Sequence, residues 1–146
     1  MDASAVMAAK GRVVEMTAGT IASRSRQAKG FLAAARLVQE FAADAEIESA
    51  PAVVSSLTVL AGIAASDAIC GHATGHRAAG EAHGEALSLL ARSTSEGNQY
   101  AKDLGRLLQV KSTVQYSGLT VTESSAQNML RWAQRLVDGM DLELSR

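Results

Sequence analysis

AVVSSLTVLAGIAASDAIC, residues 52–70, constrains the fold more than any other stretch of this chain. It is long enough to cross a bilayer, yet Ser55, Ser56, Ser66 and above all Asp67 are costly in hydrocarbon. In water such a segment must be wrapped by other elements, so the expectation is a buried central helix with Pro51 in its first turn. Val53, Leu57, Leu60, Ala61, Ala64 and Ala68 are expected to face the core. Gly62, Ala64, Ala65 and Ala68 would let another helix come close. The same small-residue face, Gly62 to Ala68, is also a candidate dimer surface.

The flanking sequence supplies the wrapping. From about Thr20 to Ala45, Ala28, Phe31, Leu32, Ala35, Val38, Phe41 and Ala42 recur at helical steps, while Arg24, Arg26, Lys29, Arg36 and Glu40 mostly fall elsewhere. A third helix starts between Gly80 and His83, with Ala82, Ala86, Leu89 and Leu90 on its apolar stripe. RSTSEGNQY is a loop in which Ser93 and Glu96 have capping-box spacing. A fourth helix covers about Tyr100 to Val114 and packs through Leu104, Leu107 and Leu108. Thr120 to Glu123 has capping-box spacing ahead of a final helix carrying Ala126, Leu130, Ala133, Val137 and Met140. No segment reads as a sheet strand. The expected fold class is all-α, a compact bundle of about five helices. Residues 1–18 form an N-terminal extension or short helix, 19–141 the helical domain, and 142–146 a frayed tail.

Aromatic residues are 3% of a chain that is 47% hydrophobic, so the core must be aliphatic and small. The formal charge is −1, which disfavours bulk nonspecific DNA binding while leaving room for a local basic site. Cys70 is the single cysteine, excluding an internal disulfide and a thiolate-rich zinc site; a buried structural thiol is expected. The first residues do not resemble a signal peptide, so a cytoplasmic location without a membrane partner is expected.

HATGHRAAGEAHGEAL, residues 72–87, concentrates the chemistry: three histidines, one arginine and two glutamates among alanines and glycines. No H-E-x-x-H, repeated Glu-x-x-His, P-loop or nucleophile elbow occurs, so neither a metal nor a cofactor is expected. Arg77 and His83 would diverge by about 120° on one unbroken helix. Placed in a turn and in the first turn of the next helix, they can face one cleft. Two readings of the stretch stand: a solvated edge with Arg77 paired to Glu81, or an anion site. In the second, the guanidinium fork binds a phosphodiester and the imidazole moves protons near neutral pH.

The spacing Arg77-AAGEA-His83 resembles the R-x5-H motif of the HEPN superfamily, the higher eukaryote and prokaryote nucleotide-binding helical domains. It lies between the helix ending SDAIC and the helix beginning ALSLL. LGRLLQVKSTVQYSG and the final amphipathic helix are also similar to compact bacterial members, and the likeness spans about residues 20–140. It implies a homodimeric, metal-independent endoribonuclease acting on RNA, such as a toxin or antiviral effector, with a cognate antitoxin or nucleotidyltransferase partner. Carried over, Arg77 binds phosphate and stabilises the transition state, and His83 transfers protons. Asp67, His76 and Tyr116 are supporting candidates; His72, Arg106 and Lys111 are RNA-binding candidates. Active members often carry a polar residue directly after the arginine, where this chain has Ala78. Members without nuclease activity imply the alternative, an inactive dimer that binds RNA, a nucleotide or a protein.

Overall fold

The computed structural model describes residues 12–79 and 83–146. These form five helices: α1 Ala18–Phe41, α2 Ala50–Thr74, α3 His83–Ser93, α4 Gly97–Ser117 and α5 Glu123–Leu144. The all-α bundle expected from the periodicity is what the chain adopts. A two-stranded antiparallel ladder, β1 Val13–Glu15 and β2 His76–Ala78, is added at one end, pairing Val14 with Arg77. Among the described residues of the first eighteen there is thus a strand and the start of α1 rather than a separate short helix; residues 1–11 lie outside the description.

Helix α2 is the centre. It is the one helix among the described residues long and apolar enough to span a membrane, and most of its surface is covered by the other helices. Pro51 does sit in its first turn. Ala61, Ala64 and Ala68 are buried as expected, but the N-terminal half is rotated: Val54, Thr58 and Val59 are buried, Val53 and Leu57 are half-buried, and Leu60 is exposed. A helix apolar on nearly every side gives periodicity little to fix its rotation. The Gly62–Ala68 face is spent inside the chain, which corrects its assignment to a dimer surface. A Cβ on Gly62 would meet Leu107 Cδ1 at 2.8 Å, so the glycine lets α4 approach α2.

On α1, Ala28, Leu32 and Ala35 are buried as expected, whereas Phe41 is exposed near the helix end. Thr17 caps this helix and forms a reciprocal capping box with Thr20. Two expected caps are corrected. Ser93 instead ends α3, where its hydroxyl donates to the Leu90 carbonyl, and Glu96 precedes α4 without a side-chain capping bond. Thr122, not Thr120, caps α5 by accepting from the Ser125 N–H.

The supposed tail is also structured. Helix α5 runs through Leu144, and Glu143 is buried with its Oε2 accepting from the Tyr100 hydroxyl at 2.8 Å. The same hydroxyl lies 2.9 Å from Glu96 Oε2. A second polar tie joins these helices: Arg135 of α5 forks onto buried Asp103 of α4, with Nε 3.2 Å from Oδ2 and Nη2 on Oδ1. A core poor in aromatics is thereby fixed in register by hydrogen-bonded acids, whose removal would strand their partners.

Candidate active site

The end of α2 sets the site. Gly75 closes the helix in the left-handed region, φ 82°, with its N–H bonded to the Gly71 carbonyl at 2.9 Å. This turns the chain sharply into β2. Thr74 stabilises the turn, donating to the Cys70 carbonyl at 2.7 Å and accepting from the His76 N–H at 3.2 Å. The ladder then holds β2 against β1, and Met16 N–H and Ala79 N–H close it at both ends on the Gly75 and Arg12 carbonyls. Arg77 is therefore a strand residue rather than a turn residue. Alternation along the strand sends its side chain to the opposite face from His76.

Arg77 and His83 line one pocket of about 170 Å³, together with Arg24, Asp67, Ser66 and Ile63. Leu104 and Leu108 of α4 complete its apolar floor, and Ala78 also lines it. His83 opens α3 and is exposed, so its ring can meet both solvent and a bound ligand. Gly80, Glu81 and Ala82, which join the two elements, lie outside the described residues, as does the expected pairing of Arg77 with Glu81.

Asp67 is the buried acid of the pocket. Arg24 reaches it from α1, with Nη2 2.6 Å and Nε 3.1 Å from the same carboxylate oxygen, while Arg24 Nη1 donates to Gln27 Oε1 at 2.6 Å. Burial nevertheless holds the Asp67 carboxyl above its ordinary range, outweighing the Arg24 hydrogen bond, the Arg24 charge and the more distant Arg77 charge. Among the described lining residues, two arginines stand against one carboxylate, so their formal charge is positive. That balance suits a monoanion such as a phosphodiester.

The remaining candidates do not gather here. His76 turns away and its Nδ1 lies 3.1 Å from the Thr74 carbonyl; His72 is exposed on the last turn of α2, where a helix C-terminus favours cationic groups. Arg106 is engaged elsewhere, 3.9 Å from Asp103 and stacked 5.7 Å over the Trp132 ring centroid. Lys111 lines an adjoining pocket of about 420 Å³ that shares Ile63 with the first. Tyr116 belongs to α4, but its side chain lies outside the description. Among the described residues, no three His, Cys, Asp or Glu side chains converge as a metal site.

Arg24 is the site residue that sequence reasoning assigned to the outer face. Its position four before Ala28 continues the buried stripe, a signal that could have placed it inward. No protein-family model matches the chain, and comparisons with curated proteins and with solved structures give no match.

Proposed function

We propose that this chain is a metal-independent endoribonuclease of HEPN type that cleaves RNA by attack of a 2′-hydroxyl on the adjacent phosphorus. One observation carries the reading: Arg77 and His83, on separate elements, line a single pocket whose described residues sum to a formal positive charge. Arg77 binds the nonbridging phosphate oxygens and stabilises the charge that grows on them in the phosphorane. His83 takes the proton from the 2′-hydroxyl, and an imidazolium returns one to the departing 5′-oxygen. Asp67 ties down Arg24 and offsets one positive charge, so the pocket does not hold phosphate so tightly that product stays bound. DNA lacks the internal nucleophile and is not cleaved. The reading includes a cytoplasmic homodimer whose two pockets share one RNA cleft, with toxin or antiviral action and a cognate antitoxin or nucleotidyltransferase as partner.

Cleavage assays in excess chelator test the chemistry. The expected products carry 2′,3′-cyclic phosphate ends, and Arg77→Ala should lower kcat by about 10²–10³-fold. His83→Ala should lower it by about 10²–10⁴-fold. Cleavage that survives both substitutions refutes the assignment. Light scattering should give twice the chain mass, and a monomer at working concentration refutes the shared cleft.

Ala78 favours a second reading, an inactive RNA-binding dimer. It lines the pocket at the position directly after the arginine, where active HEPN members often carry a polar residue. RNA binding that is lost in Arg77→Ala, without any cleavage by the unsubstituted protein, would select it.

A further inference from the structure

We infer that a second site, on the seam between α1 and α5, binds the phosphate backbone of RNA outside the cleavage pocket. A groove of about 440 Å³ there is lined by Arg36 and Gln39 of α1 and by Gln127, Arg131, Gln134 and Arg135 of α5. No carboxylate is among its described lining residues. In a chain with formal charge −1, three arginines and three glutamines on one groove form a local concentration of donors.

The groove is partly organised before any ligand arrives. Arg36 places Nη2 2.5 Å and Nε 3.1 Å from Gln134 Oε1, and Gln134 Nε2 in turn donates to Asp138 at 2.8 Å. Arg36 is thus held by a neutral acceptor, which fixes its plane and leaves its charge uncompensated. Arg131 is exposed and, among the described residues, within ion-pair distance of no carboxylate. Arg135 is neutralised by Asp103 and serves as wall rather than as free charge. Two available guanidinium groups bracketed by amides match phosphate oxygens and sugar hydroxyls, which take most hydrogen bonds at a nucleic-acid backbone.

The lining also decides between classes of partner. The one apolar residue among its described lining residues, Leu130, is buried, and the exposed Leu37 and Phe41 of α1 lie outside it. A protein interface needs an apolar centre and a membrane site needs apolar residues to insert; this groove offers neither. The choice of RNA rests on the ribonuclease reading. Arg24 at the pocket and Arg36 at the groove are both on α1, separated along its axis by about 18 Å and around it by about 120°. The groove is therefore a distinct contact for RNA extending away from the pocket.

The test is fluorescence anisotropy with a labelled single-stranded RNA, using the full chain with Arg77→Ala and His83→Ala to prevent cleavage. Adding Arg36→Gln and Arg131→Gln should weaken binding by about tenfold or more at 0.1 M salt and reduce the slope of log K against log salt by about 1.4. Arg131→Gln alone removes a side chain with no side-chain hydrogen bond among the described residues and should reduce the slope by about 0.7. Arg92→Gln, on a helix that does not line the groove, should leave slope and affinity within twofold. Unchanged binding in the groove variants, or no RNA binding at all, overturns the proposal. Preferential binding of polyglutamate, lost in the same variants, overturns it in favour of an acidic protein partner. Because cleavage is absent from this assay, RNA binding can be lost with the groove even if the pocket proves inert, and cleavage can persist if the groove does not bind.

Discussion

Asp67→Asn should tighten anion binding in the pocket while leaving the bundle folded. The asparagine Oδ1 can accept from Arg24 as the carboxylate does, but the negative charge facing a bound phosphate is gone. Take a bound anion's charge to lie about 6 Å from that of the Asp67 carboxylate. Removing that charge relieves about 0.7 kcal/mol of repulsion at the dielectric of water and about 2.8 kcal/mol at an effective dielectric of about 20, or about 3- to 100-fold in Kd. Calorimetric titration with a 2′-deoxy dinucleoside monophosphate, which cannot be cleaved, reads the change. Unaltered or weaker binding would refute the pocket as an anion site balanced by Asp67. Stability supplies an independent sign. The folded carboxyl has a raised pKa, so folding favours its protonated form: its contribution is fully present below the ordinary value of 3.8 and is lost as pH rises through the higher folded pKa. Asparagine has no such dependence. The Tm difference, variant minus parent, should therefore grow more positive across that window and then level off.

Three further outcomes test the packing. Gly139→Ala should cost about 1–3 kcal/mol, or about 3–10 °C in Tm, because its Cβ would overlap Tyr100 Cε1 and lie 2.9 Å from Cζ on a ring pinned by Glu96 and Glu143. Tyr100→Phe should cost about 1–3 kcal/mol in urea unfolding, since it strands buried Glu143 without its phenol donor; no loss would show that Arg146, 3.3 Å from Oε1, suffices alone. Burial, then the nearby Asp67 charge, push the Cys70 thiol up to about 12, so it should ignore a thiol-reactive disulfide reagent at pH 8 until the chain is unfolded. Rapid labelling of the native protein would contradict that burial.

Fold class was legible because four helices carry stripes at helical steps and the fifth, α2, is too apolar to be anything but central. What periodicity could not supply was rotation and register. Helix α2 is buried on most sides, so hydrophobicity alone does not tell Val53, Leu57 and Leu60 from Val54 and Val59, and it places Thr58 outside although its hydroxyl is satisfied on the Ser55 carbonyl. The same blindness hid the buried acids. Asp67 stands out as a charge in an apolar stretch, but Asp103, four before Leu107, and Glu143, three after Met140, also lie in phase with buried stripes. Each needed a partner from another helix, and the partners are what a one-dimensional pattern does not display: Arg24 for Asp67, Arg135 for Asp103, Tyr100 for Glu143.

The pocket depends on the same kind of long-range partner. Arg77 and His83 could be paired on paper only through a turn, yet the structure uses a strand, and a ladder of three residues a side is too short to hold itself. Its anchor is Met16, which follows β1, donates its N–H to Gly75 and packs its side chain where a Cβ on Gly71 would come within 2.6 Å of Sδ. Gly71 thus does more than loosen a helix end: its missing side chain is the socket that seats Met16, and the seated methionine brings β1 alongside β2. A glycine beside histidines reads as a helix breaker when only neighbours in sequence are weighed. Here Gly71 stays helical and Gly75, four residues on, makes the break, so one admits the N-terminal strand and the other aims the arginine into the pocket.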